Sequence, residues 1–125
     1  MPDRKSVFLE LKSILETVPD LSGKVYSAYP KKKINLPFAI IKTPAYSEEA
    51  YTLDDSVYSY AYEYEIHIYA KTAQKVDELT DLVISTLRSS DVYNAQMSIN
   101  ALPDVEAIDD MEVYHVVVLT ILLQW

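Results

Sequence analysis

The chain has 125 residues, 50% of them hydrophobic, with a formal net charge of -8 and no cysteine. That length predicts one domain over residues 1–125, with enough apolar material for a core and no linker, repeat or low-complexity tract to divide it. Lack of cysteine excludes disulfides, thiolate nucleophiles and zinc–thiolate sites, and the acid excess disfavours general attraction to nucleic acid or anionic membrane.

Val7, Phe8, Leu11, Ile14, Leu15 and Val18 recur at helical spacing and predict an amphipathic helix over about 3–18, stopped by Pro19. After Gly23, residues 24–29 read as a short strand closed by Pro30. Phe38 to Thr43 read as a second, between Pro37 and Pro44. Between them lies the basic turn Lys31-Lys32-Lys33. Pro44 to Ser56 then reads as a long acidic loop carrying Tyr46, Glu48, Glu49, Tyr51, Asp54 and Asp55, long enough to order only against a partner.

The clearest strand spans Val57 to Ala70. Tyr58, Tyr60, Tyr62, Tyr64, Ile66 and Ile68 alternate with Ser59, Glu63, Glu65 and His67, so one face packs and the other is wet. Thr72 reads as the N-cap of a helix over about 73–89, with Val76, Leu79, Leu82, Val83 and Leu87 on its apolar side. Residues 92–101 alternate weakly, 103–108 form a further short strand, and the β-branched segment from Val113 to Trp125 suits a central strand buried on both faces. The fold class predicted is α+β: a mostly antiparallel or mixed sheet of about five strands, with two helices packed on one face.

No catalytic, cofactor or metal residues emerge. Gly23 is the only glycine, so no phosphate-cradling loop of the GxGxxG or GxxxxGK kind exists. The two histidines, His67 and His115, lie in predicted strands; a histidine pair with Glu63 or Glu65 would need those strands adjacent and both rings in one pocket. Asp104, Glu106, Asp109, Asp110 and Glu112 are dense, but without the glycine and ligand offsets of a calcium loop they read as a solvated loop. No serine sits in a nucleophile elbow.

Interaction features are more prominent. Eleven tyrosines stand against two phenylalanines, and rings with one wet end suit interfaces as well as the rim of a core. Charge is uneven: residues 1–45 hold eight Lys/Arg and four Asp/Glu, residues 46–125 three and fifteen. The basic first third could therefore meet the acidic remainder of a neighbouring copy. The candidate interface residues are Lys31, Lys32, Lys33, Tyr46, Glu48, Glu49, Tyr51, Asp54, Asp55, Tyr58 and Tyr60.

From about residue 5 to 125 the pattern resembles the tail completion, or tail terminator, proteins of long-tailed bacteriophages and their prophage relatives. The resemblance rests on several features in order: the N-terminal amphipathic helix, the Val25-Tyr26 strand, Leu36-Pro37-Phe38-Ala39-Ile40-Ile41 and the long acidic loop. The run from Tyr62 to Lys71 then leads straight into a helix carrying Ala73, Val76, Leu79 and Val83. It implies a non-enzymatic structural protein without cofactor, forming a ring, typically of six copies, that caps the tail tube and joins it to the head connector. DNA would pass through the channel without being specifically bound, and no membrane would be involved. The implied location is the host cytoplasm during assembly and then the tail–head junction of the virion. Head-closure or minor capsid connector proteins, and a small ligand-binding α+β module, are the alternative readings.

Overall fold

The computed structural model describes residues 3–28, 35–50, 57–109 and 112–124, and over 43–50, 57–60, 107–109 and 112 it describes the backbone alone. The first helix, α1 (Arg4–Leu15), is capped by Asp3, whose carboxylate accepts from the Ser6 N–H at 2.7 Å. It ends three residues earlier than periodicity predicts, because the bonding tightens there: Thr17 and Val18 N–H groups donate back to Ile14 and Leu15, and Pro19 opens a 3-10 turn, Pro19–Leu21. Gly23, at φ +71°, then reverses the chain so that Lys24 N–H donates to the Leu21 carbonyl at 2.9 Å.

Six strands and a second helix follow: β1 (Val25–Tyr26), β2 (Phe38–Ala50), β3 (Val57–Ala70), α2 (Ala73–Ser89), β4 (Met97–Ala101), β5 (Val105–Asp109) and β6 (Glu112–Gln124). They form one sheet in the order β1-β2-β3-β6-β4, with β5 also on β6. β1 runs parallel to β2 and every other pairing is antiparallel, which makes the α+β sheet mixed. The first strand is shorter than predicted, at two residues, and Tyr29 and Pro30 lie outside the described residues.

β4 and β5 lie end to end along the same edge of β6. Between them Leu102 N–H still donates to the Val118 carbonyl at 3.0 Å, and three residues on the edge oppose two on β6. Pro103, which has no N–H to give a ladder, sits in that irregularity. The acidic stretch from Asp104 is thus largely the β5–β6 hairpin, with Asp109 opposite Glu112, and not a solvated loop.

One hydrophobic core joins both helices to a single sheet face. Ala39 and Ile41 of β2, Tyr62, Tyr64, Ile66 and Ile68 of β3, and Val117, Leu119, Ile121 and Leu123 of β6 meet Val7, Leu11, Val76, Leu79, Val83 and Leu87. Register explains the match, since Ile66 stands opposite both Ile41 and Leu119, and Tyr64 opposite Ile121. β6 is central as predicted, but only its odd positions are buried. Val116, Val118, Thr120 and Leu122 point to a face that neither α1 nor α2 covers and are half-exposed. On α2, Leu82 is exposed and Thr80 is buried instead, its hydroxyl donating to the Val76 carbonyl at 2.7 Å. At about 100° per residue, position 80 falls only about 20° beyond the edge of the stripe of 76, 79, 83 and 87, and position 82 about 60° beyond the other edge.

Thr72 caps α2 by accepting from the Lys75 N–H at 3.1 Å. Thr72→Ala is expected to lower stability by about 1 kcal/mol and Thr72→Ser to leave it nearly unchanged, as read from urea unfolding midpoints.

Candidate functional site

The two histidines do not form a site together. β3 and β6 are neighbours, but His67 pairs with Val118 and His115 with Ala70, positions of opposite parity, so the rings lie on opposite faces of the sheet. Each has its own carboxylate: Glu65 lies 2.9 Å from His67 Nε2, two residues along the same strand face, and Asp104 lies 3.1 Å from His115 Nδ1. Among the described residues no group of three or more His, Asp or Glu side chains is arranged to hold a metal ion, and no helix is long and apolar enough to cross a membrane.

The tyrosine run of β3 divides. Tyr62 and Tyr64 belong to the core under the helices, and the Tyr64 hydroxyl donates to the Arg4 carbonyl at 3.0 Å. These two rings are therefore packing residues, with the phenol satisfied by the start of α1. Burial pushes the Tyr64 phenol up to about 12 from 10.0, because the ionised form would lose water. A phenol with a raised folded pKa stabilises the fold fully below the unfolded value and loses that contribution as pH rises through the folded one. Stability is therefore expected to fall between pH 10 and about 12. Tyr64→Phe, followed by thermal melts across this window, should remove much of that fall. An undiminished fall would assign it to other groups.

The sheet face away from the helices carries an aromatic row that the sequence pattern did not single out, with Phe38 and Tyr69 buried at its centre and Tyr26 and Tyr114 half-buried at its ends. Tyr26 meets Phe38 edge-on at 6.3 Å between centroids, Phe38 stacks on Tyr69 at 4.6 Å, and Tyr69 approaches Tyr114 at 5.7 Å. The row crosses β1, β2, β3 and β6, with Ile40 fully buried beside it. The available signal was parity: Phe38 and Tyr69 fall out of step with the helix-facing positions of their strands.

β2 does not stop at Pro44. It continues to Ala50, and the register shift between Lys42 and Ala45 accommodates Pro44, whose missing N–H costs nothing at a bulge. The first half of the predicted loop is therefore strand, with Tyr46 opposite Tyr62, Glu48 opposite Tyr60 and Glu49 opposite Ser59. β6 reaches only as far as Ala61, opposite Gln124. Beyond that point β2 and β3 pair with each other alone, among the described residues, as a two-stranded arm closed by Ala50 opposite Val57. Tyr46, Glu48, Glu49, Tyr58 and Tyr60 lie on these strands, while Lys31, Lys32, Lys33, Tyr51, Asp54 and Asp55 lie outside the described residues. The structure thus brings five of the candidate residues onto or beside one hairpin.

At the base of the arm, on the helix side of the sheet, a cleft of about 380 Å³ is lined by Arg4, Lys5, Phe8, Ser27 and Ile41. Phe8 and Ile41 supply apolar surface, and two cationic side chains and a hydroxyl supply the polar part. Residues from α1, the end of β1 and the middle of β2 converge here, a grouping that separation along the chain conceals. No family model matches the chain, and no curated protein matches it.

Proposed function

We propose that this chain is a non-enzymatic subunit of a bacteriophage or prophage tail, forming a ring that caps the tail tube and joins it to the head connector. The two-stranded arm carries the reading. An isolated hairpin is marginally stable in water, and two strands whose outer edges have no strand partner among the described residues are suited to pairing or packing with a neighbour. An arm that reaches past its own sheet makes a contact between unlike surfaces, and repeated around an axis such contacts close into a ring. The element order from α1 through α2, apart from the acidic loop whose first half is strand, is the order on which the resemblance to tail completion proteins rests, and the half-buried residues beside the aromatic cluster, Tyr26, Tyr114 and Val116, offer a further surface for a tube or connector protein.

Acidity fits the same reading. A channel for passing DNA has to avoid gripping phosphate, and a subunit at -8 supplies repulsion where basic residues would retain the strand. Ring size is expected to be six, and the location the host cytoplasm during assembly and then the tail–head junction.

The test is a complementation assay in a phage or prophage with the gene for this chain deleted. Loss of infectious particles with separate full heads and unjoined tails, restored by the wild-type chain, is the expected result. Tails of uncontrolled length would assign the chain to tube capping, and normal tails beside leaking heads would move it to the head-closure or minor capsid role. Undiminished joining without the chain would contradict the proposal.

A further inference from the structure

We infer that the sheet of one copy continues into the next, the outer edge of β2 beyond β1 pairing with the outer edge of β4 in a second copy. This rests on the ring reading and names the backbone groups that would build the ring.

Hydrogen-bond parity identifies those groups. Leu102 N–H donates to the Val118 carbonyl, so the backbone groups at even positions of β6 face β4 and those at odd positions face β3. Carried through the register, that alternation turns the N–H and C=O groups of Ser98 and Asn100 toward β6 and those of Met97, Ile99 and Ala101 outward. Met97 is satisfied within the chain, its N–H donating to the Asn94 carbonyl and its carbonyl accepting from Arg88 Nη1 at 3.3 Å. The outward groups of Ile99 and Ala101 have no such partner among the described residues. On β2 the same parity turns the backbone groups of Ala45, Ser47 and Glu49 toward β3 and those of Tyr46 and Glu48 outward, on an edge where β1 covers only Ala39 and Ile40. Two runs of five residues therefore match, 45–49 of β2 and Met97–Ala101 of β4. Each keeps unbroken register with its own sheet, and each offers two residues at the same spacing.

Direction and charge select the occupant. β2 and β4 run in opposite directions, so a second copy turned about an axis along the strands, without inversion, brings an antiparallel β2 to β4. Ser47 stands level with Gln124 and Ile99 with Ile121, three positions apart along β6, and closing a sheet on itself requires a stagger of this kind. β4 holds no charge and no proline, the devices that ordinarily block a sheet edge. β5, further along the same edge, carries Glu106 and Asp109, which would repel Glu48 and Glu49. The acidic strand therefore goes to the β4 half. Because the two edges differ, each copy keeps one of each for the next.

Cysteine pairs test this on a full chain that has none of its own. Setting Ile99 opposite Glu48 and Ala101 opposite Tyr46 places Asn100 opposite Ser47, with Cα atoms about 4.5 Å apart across the contact. Within one copy three strand spacings of about 4.8 Å separate the same two positions, too far for a disulfide. Mixing a Ser47→Cys chain with an Asn100→Cys chain under mild oxidation should give the mixed dimer about tenfold faster than mixing it with a Glu106→Cys chain, since proximity sets the rate. Ala101→Pro removes an N–H that the chain's own ladder does not use. It is expected to leave the thermal melt nearly unchanged and to weaken self-association in sedimentation velocity by about tenfold.

Equal cross-linking rates with the two partners, and rings that persist in the Ala101→Pro variant, would overturn the edge pairing and leave the ring standing. Asn100→Cys dimers that form faster than mixed ones would make β4 its own partner and overturn the choice of β2. A wild-type chain that is monomeric under every condition would overturn both contact and ring. Edge pairing in a chain that fails the joining assay would keep the contact and remove the tail function.

Discussion

Ile66→Ala is expected to destabilise the isolated chain by about 2–5 kcal/mol, a loss large enough to threaten folding. Ile66 is fully buried on β3, opposite Ile41 and Leu119, under both helices. Three strands and two helices enclose it, so the space left by the truncated side chain cannot collapse easily. Glu63→Ala, on the other face of the same strand, should change stability by less than about 0.5 kcal/mol. Urea unfolding of both variants reads the contrast. Equal costs would mean that the face without helices is as enclosed as the other and that the layer assignment fails.

Assembly is expected to strengthen as salt rises from low ionic strength. Each subunit carries -8, and residues 46–125 hold fifteen acids against three bases, so subunits in a ring repel over distances comparable to the Debye length, about 10 Å at 0.1 M salt. Packed contacts between subunits act at short range in a partly desolvated setting and are screened far less. Sedimentation velocity from about 0.02 to about 0.5 M salt should therefore show monomer giving way to rings, with magnesium acting at lower concentration. Dissociation over the same range would mean that exposed attractive pairs dominate and that the acidic majority is not gathered near the axis.

Much of this fold is legible along the chain where one period governs a whole element. The dozen alternating residues of β3 and the Thr72 cap before a clean apolar stripe place β3 and α2 with the bounds the structure has. Pro44 misleads because a proline ends a regular strand, yet at a bulge its missing N–H has no partner to lose, so β2 passes through it. The tyrosine alternation identifies a buried face correctly, but period alone does not tell a core under helices from an interface, and Tyr62 and Tyr64 prove to be core. β6 is misread as buried on both faces because its β-branched run reports strand propensity and not which face a helix covers. The cleft is invisible to any local reading, since Arg4, Ser27 and Ile41 meet only through the pairing of β1 with β2 and the docking of α1.

The most direct measurement of the proposed ring role is native mass spectrometry of the wild-type chain, alone and mixed with the tail tube protein of the phage or prophage proposed to encode it, at moderate salt. The expected result is a closed ring of six copies of the 14.3 kDa subunit that binds the end of the tube as a unit. A chain that remains a monomer in both samples, at every salt concentration, would contradict the account.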